Sequence, residues 1–294
     1  MMPHSQGGSI QVRVGAATDA GRRRPNNEDA FLAQGSLYLV ADGMGGHAAG
    51  EIASATVIEA FTALAAQTSV TLDELRATVA VAIGRVLALP EGAGAGAGTT
   101  LSGVALAELD GNAYWLLLNL GDSRTYRMAG GVLEQISVDH SVVQELVETG
   151  ELTPAEAAGH QQRNVITRAI GAGSTGEPDY WFLPAAAGDR ILVCSDGLTG
   201  ELDDEHIRAI MTAETEPQNA ATRLVHEALL HGGRDNVTAV IVDALSTIDA
   251  SSDETTPGLP AEAADVGVDF DDTIPRSQLT ALADPALAAH AEAR

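Results

Sequence analysis

The run Leu37-Tyr-Leu-Val-Ala-Asp42-Gly43 sets the reading of the whole chain: a short apolar stretch that stops on an aspartate and a glycine. Apolar runs of this length bounded by turn residues read as buried strands. Two more runs end the same way, Leu116-Leu-Leu-Asn-Leu-Gly121-Asp122 and Ile191-Leu-Val-Cys-Ser-Asp196-Gly197, and Asp235 stands at the opening of a fourth, Val237-Thr-Ala-Val-Ile-Val242. An Asp-Gly pair by itself also turns a chain between strands. Three strand-terminal aspartates together with Asn27-Glu28-Asp29 are more acids than turns require, so the pattern predicts carboxylates clustered at strand ends. Oxygen donors without histidine or cysteine beside them suit hard divalent cations such as magnesium or manganese.

At 294 residues with 45% hydrophobic content, the chain has the material for one large folded domain or two small ones. Its net charge of −25 argues against nucleic acid or an anionic membrane as partner, since a binder of phosphate backbone carries basic residues in excess. The basic residues are all arginine. Cys194 is the only cysteine, which excludes an internal disulfide, and its place inside an apolar run marks it as a packing residue. Met1 to Gly8 has no apolar segment of signal-peptide type, and no apolar run approaches the length of a membrane span. A cytoplasmic protein is expected.

Residues 52–66 place Ala53, Val57, Ala60, Phe61 and Leu64 on one face, and residues 71–87 do the same with Leu72, Leu75, Val79, Ile83 and Val86, so both read as amphipathic helices covering a sheet. Thr71-Leu-Asp-Glu74 is a capping box for the second, and Thr153-Pro154-Ala-Glu156 repeats the device with proline at the first helical position. A third covering helix is predicted over 218–231, stopped by Gly232-Gly233. Gly92 to Gly98 alternates glycine with alanine and reads as a flexible surface loop. From Ser246 onward the chain has ten acids against two arginines and almost no aromatic residues, too little apolar surface to offset the entropy of ordering. The expected organisation is one domain over 10–245 and a disordered acidic C-terminal tail over 246–294. With 31 acids and 14 arginines before the tail, the domain is acidic too.

Several segments in order carry a family resemblance. Asp19-Ala-Gly21-Arg-Arg-Arg24-Pro-Asn-Asn27-Glu28-Asp29, Val40-Ala-Asp42-Gly-Met-Gly-Gly-His47-Ala-Ala-Gly50-Glu51, Gly98-Thr99-Thr100 and Gly121-Asp122-Ser123-Arg124 resemble the motifs of the type 2C (PPM) metal-dependent serine/threonine protein phosphatases. Asp139-His140-Ser141, Arg168-Ala-Ile-Gly171, Cys194-Ser195-Asp196-Gly197 and Gly233-Arg-Asp235-Asn236-Val-Thr238 are similar to the later ones. Met-Gly-Gly-His after Gly43 resembles the bacterial branch. The resemblance implies an α+β fold, a four-layer αββα sandwich of two antiparallel β-sheets flanked by helices, with the metal site in a cleft at one edge. It implies two Mn2+ or Mg2+ ions and a third, weaker one. Asp42 would bridge the pair, Glu28 and the Gly43 carbonyl would hold one ion, and Asp196 and Asp235 the other. Asp122 would bind the third together with Asp196, and Asp29 would hold metal-bound water.

The reaction so implied is hydrolysis of phosphoserine and phosphothreonine by a metal-bridging hydroxide, with Arg24 gripping the phosphate through its planar fork. Phosphoproteins, a serine/threonine kinase and its substrates are the implied partners, and a monomer is expected. Where animal members carry a histidine after the Asp-Gly, this chain has Met44, so structural roles are expected for His47, His140 and His160. Ser141 to Asn164 corresponds to a flap that shapes substrate access. A catalytically silent module that binds phosphoproteins is the rival reading, and the intact acid set argues against it. A phosphatase dedicated to one regulatory partner would share the chemistry and differ in specificity.

Overall fold

The apolar runs form strands in the computed structural model, which describes residues 9–45, 49–89, 96–174 and 176–248. His47, most of the Gly92 to Gly98 stretch and the chain beyond Ile248 lie outside the described residues. Strands β1 (Ser9–Asp19), β2 (Asp29–Gln34) and β3 (Leu37–Met44) are followed by helices α1 (Ala49–Ala65) and α2 (Leu72–Leu87). Then come β4 (Gly98–Thr99), β5 (Leu101–Leu109), β6 (Asn112–Leu120), β7 (Arg124–Ala129) and β8 (Val132–Gln135). Two short helices, α3 (Val142–Glu148) and α4 (Pro154–Ala158), precede β9 (Ile170–Gly171), β10 (Asp179–Pro184) and β11 (Arg190–Cys194). Helices α5 (Asp196–Thr199), α6 (Asp204–Ala213) and α7 (Pro217–His231) lead into β12 (Val237–Ile248).

The strands make two sheets, one ordered β1-β12-β11-β7-β8 and the other β10-β6-β5-β3-β4-β9, with β2 also paired to β3. Every one of these pairings is antiparallel. Side chains alternate across a strand, and here each side meets a different apolar layer. Tyr38, Val40, Trp115, Leu117, Ile191, Val193, Val240 and Val242 pack between the sheets. Leu37, Leu39, Leu116, Leu118 and Leu120 face the other way, onto Val57, Phe61, Leu75 and Val79 of α1 and α2. Leu192, Cys194, Ala239 and Ile241 face Ile207, Ile210, Leu224 and Ala228 of α6 and α7. The result is the four-layer sandwich, and it explains why the runs are apolar without interruption: both faces are covered. Each buried leucine or valine contributes about 1.5–3 kcal/mol, so the layers hold the frame and the acidic strand ends ride on it.

The local signals settle where expected. Thr71 caps α2 in a complete capping box with Glu74, and Thr153 caps α4 with Glu156. Helix α7 runs from Pro217 to His231 and ends at Gly232. Strand β12 continues three residues into the segment read as tail: Ser246, Thr247 and Ile248 pair with Gln11, Ile10 and Ser9.

Candidate metal centre

The strand ends bring the acids together. In the β2–β3 pairing Asp29 lies opposite Asp42, and the Gly43 N–H donates to the Glu28 carbonyl at 3.1 Å. The backbone is tight there, since a Cβ at Gly43 would strike the carbonyls of Glu28 and Gly50. Thr100 accepts from the Asp42 N–H through Oγ1 at 2.9 Å, and the Thr100 N–H and Thr99 Oγ1 both donate to the Asp42 carbonyl at 2.9 Å. The Gly98-Thr99-Thr100 segment thus holds the backbone of Asp42 on both sides.

From the other sheet, β11 delivers Asp196 and β12 opens just after Asp235. A Cβ at Gly197 would collide with the Asn236 carbonyl, so the two acidic turns lie against each other. Asn236 ties them to the first sheet: its Oδ1 accepts from the Glu28 N–H at 2.8 Å, and its Nδ2 donates to the carbonyls of Ala20 and Asn26 at 2.9 and 2.8 Å. Asp29 crosses between the sheets as well, its Oδ2 accepting from Ser195 Oγ at 2.8 Å and from Thr238 Oγ1 at 2.7 Å. Ser195, Asn236 and Thr238 carry no role in the sequence reading, although they sit inside its motifs; position two or three residues from a candidate ligand was the available signal.

The electrostatics show how close the acids stand. Burial raises the carboxyl of Asp42 well above the ordinary range, and Asp29, Asp196, Asp122 and Asp235 add repulsion. Asp196 is raised by burial and by the charge of Asp235, against the proximity of Asp42, which lowers it. Burial pushes Asp29 up to about 7, against the hydrogen bonds from Thr238 and Ser195. Asp122 is raised by burial, then by Asp196 and Asp139. Glu28 is raised by burial and lowered by Arg24. Mutual repulsion of this kind is what bound cations relieve.

Among the described residues no three of the acidic, histidine or cysteine side chains already converge as a closed cage. Two of them are turned to protein partners, Asp29 to Ser195 and Thr238 and Asp235 Oδ2 to Arg24 Nη2 at 2.6 Å. Yet Oδ1 of Asp29 and Oδ1 of Asp122 are buried with no hydrogen-bond partner. A buried carboxylate oxygen without a donor is costly unless something positive completes it. An all-oxygen set with unsatisfied oxygens and excess negative charge fits divalent metal ions.

The remaining sequence candidates fall around this centre. Arg24 lies at its edge, paired with Asp235, and Asp122 follows the end of β6, where Arg124 makes a two-pronged ion pair with Asp139. His140 is structural: its Nδ1 accepts from the Gly121 N–H at 3.2 Å, so its Nε2–H donates to Asp179 at 3.1 Å. His160 is partly exposed and accepts from the Gln162 N–H. The segment read as a flap carries α3 and α4, and a single bridge between Ser141 and Ile166 closes its base. Beside Asp196 and Asp235 an open cleft of about 100 Å3 is lined by Arg163, Asn164, Gly200, Glu201 and Arg234.

Residues 19–231 match the family model described as protein phosphatase 2C. The chain is 41% identical over 239 residues to the serine/threonine protein phosphatase PstP of Mycobacterium tuberculosis, a match covering 80% of this chain and 45% of that protein. It is 35% identical over 242 residues to the protein phosphatase PhpP of Streptococcus pneumoniae, covering 79% of this chain and 97% of that one. The chain therefore spans about half the length of the mycobacterial relative and nearly all of the streptococcal one. The crystal structure of M. tuberculosis PstP superposes with a TM-score of 0.75 at 41% identity, over 80% of this chain and 99% of that one. The PstP catalytic domain in complex with 2 manganese ions superposes with a TM-score of 0.72 at 39% identity, over the same shares. With its sandwich, its acidic strand ends and this match over most of its length, the chain belongs to the protein phosphatase 2C family.

Proposed function

We propose that this chain is a metal-dependent protein phosphatase that hydrolyses phosphoserine and phosphothreonine in proteins and so opposes a serine/threonine kinase. One observation carries the reading: acids from both sheets meet at one edge of the sandwich, with carboxylate oxygens of Asp29 and Asp122 left unsatisfied. Two Mn2+ or Mg2+ ions are the fitting cofactors. In this reading Asp42 would be shared between the two, Glu28 and the Gly43 carbonyl would hold one, Asp196 and Asp235 the other, and Asp122 would serve a weaker third. Bound there, such ions neutralise phosphate charge and acidify water at neutral pH.

The side chains do the rest. Asp29, clamped by Ser195 and Thr238, orients water beside the ligands. Arg24 commits only Nη2, to Asp235, and its other guanidinium N–H donors have no partner among the described residues and are available to phosphate oxygens. His140 is committed to Gly121 and Asp179, so it is not an acid for the leaving oxygen, which takes its proton from water. All of these groups come from one chain, so a monomer suffices. The cytoplasm, where kinases meet ATP, is the compartment this activity implies.

The test is phosphate release from a phosphothreonine peptide. It should require Mn2+ or Mg2+, stop with chelator, and be lost in Asp196→Asn. Folded protein that binds both ions and turns over no phosphopeptide points instead to a phosphoprotein-binding module.

A further inference from the structure

Arg163 and Arg234 line the cleft, and three consecutive arginines, Arg22 to Arg24, lie beside it on a domain of acidic balance. Residues Gly21 to Arg24 lie on Gly233 to Asp235: the Arg22 N–H donates to the Gly233 carbonyl at 2.7 Å, and Arg24 reaches Asp235. Arg234 lays Nε and Nη2 on the two carboxylate oxygens of Glu201 at 2.9 and 3.0 Å, and Nη2 also donates to the Gly200 carbonyl. That fixes its guanidinium on the rim of the cleft which Arg163, from the segment between α4 and β9, lines as well. Arg23 stands close enough to Glu201 to favour its charged form.

Arg163 and Arg234 therefore line the cleft, and Arg22, Arg23 and Arg24 belong to the segment held against Gly233 to Asp235 beside it. Arg24 and Arg234 are each offset by a carboxylate, whereas Arg23 and Arg163 are exposed and have no ion pair among the described residues. One phosphate monoester is a dianion, and Arg24 is placed to receive it. Arg163 on the rim and Arg23 near Glu201 have no use in the reaction at the metal centre. The whole chain carries a net charge of −25, and the part before residue 246 is acidic too, so it repels an anionic peptide at long range and local cations must supply the attraction where the peptide lands.

We propose that Arg23 and Arg163 read a second anionic group beside the phosphorylated residue, so the preferred substrate is a peptide with another phosphate, or carboxylates, next to its phosphoserine or phosphothreonine. The proposal rests on the phosphatase reading above. Guanidinium forks match phosphate and carboxylate alike, and the two sources separate by experiment.

Three phosphothreonine peptides are compared with the full chain and Mn2+: one with neutral neighbours, one with glutamates, one with a second phosphothreonine nearby. p-Nitrophenyl phosphate, which has no flanking residues, is the control. Wild type should favour both anionic peptides by about fivefold or more in kcat/KM at about 50 mM salt, and the preference should shrink towards unity at about 500 mM. Preference for the doubly phosphorylated peptide alone makes phosphate the group that is read; preference for both makes a carboxylate sufficient. The double variant Arg23→Gln/Arg163→Gln should reduce the preference below about twofold, with p-nitrophenyl phosphate turnover and melting temperature unchanged. Arg163→Glu alone should shift the ratio towards the neutral peptide. Equal kcat/KM for all three peptides in wild type, or a preference that survives the double variant, overturns the proposal. Failure of wild type to hydrolyse even p-nitrophenyl phosphate overturns the phosphatase reading beneath it, a result distinct from the other two.

Discussion

Strand β11 has an aspartate just outside each end, and the two are treated in opposite ways. Asp189, before Arg190, is 2% exposed and fully met: its Oδ2 accepts from Trp115 Nε1 at 3.0 Å and from the Ala186 N–H at 2.9 Å, and its Oδ1 from Arg127 Nε and Nη2 at 3.0 and 2.8 Å. Beside it, Arg190 and Asp243 form a buried pair, with Arg190 also donating to the carbonyls of Met211 and Thr215. Asp196, after Cys194, faces other acids instead, and the centre around it retains unsatisfied oxygens. A fold that can neutralise carboxylates at one end of a strand leaves them in conflict at the other. The closed end is structure; the open end is stability given up for cation binding.

The contrast breaks most sharply under substitution. Asp196→Asn should lower metal-dependent kcat by on the order of 10³-fold, because a metal site supplies several kcal/mol of transition-state stabilisation. The same change should leave the melting temperature of the metal-free protein unchanged or higher, since it removes a repelled charge. Asp189→Ala should do the reverse. It strands the Trp115 N–H and the Arg127 guanidinium, a loss of about 3–5 kcal/mol, while activity per folded molecule survives. Denaturant unfolding with activity normalised to the folded fraction separates the two. Equal stability losses at both positions would erase the distinction.

Acidity offers a second way in, and its sign is fixed. Asp29, pushed up to about 7 chiefly by burial, keeps its proton in the folded chain over a pH range where the unfolded chain, at 3.8, has lost it. The folded state then binds more protons, so stability falls as pH rises between those values and levels off above them. Asp42, Asp122 and Asp196 are shifted in the same direction and extend the window. From Asp29 alone the loss is roughly 2–4 kcal/mol. Chelated protein should melt at a lower temperature at pH 8 than at pH 5.5, and Mn2+ at pH 8 should restore it. A melting temperature that climbs with pH in chelator would contradict the crowded acid cluster.

The frame was legible in the sequence because its signals are local. Uninterrupted apolar runs mark strands covered on both faces, and Thr71 and Thr153 announce helix starts within four residues. The acids were legible as a set because each closes or opens a run. What stayed hidden depends on contacts between distant segments. Asp29 is held by Ser195 and Thr238, 166 and 209 residues away, and no spacing encodes that. Helix α6 escaped notice because three buried positions, Ile207, Ile210 and Met211, make a thin stripe in a polar segment. The end of β12 escaped because Ser246 and Thr247 carry no apolar signal, whereas the backbone ladder to Gln11 and Ile10 needs none.

The smallest effect tests the same contrast with the charges reversed. At the closed end Arg127 commits Nε and Nη2 to Asp189, but at the open end Arg24 commits only Nη2, to Asp235. The Arg24 and Asp235 side chains are 49% and 35% exposed, and ion pairs in that setting contribute about 0–1 kcal/mol. Arg24 is therefore dispensable for folding and half free for a ligand. Arg24→Ala should leave the melting temperature within error and raise KM for a phosphothreonine peptide by about tenfold, lowering kcat by less than about threefold. A residue that grips the phosphate equally before and during reaction behaves that way. If kcat falls about tenfold at constant KM instead, Arg24 acts only on the transition state, and its free face does not serve ground-state phosphate binding.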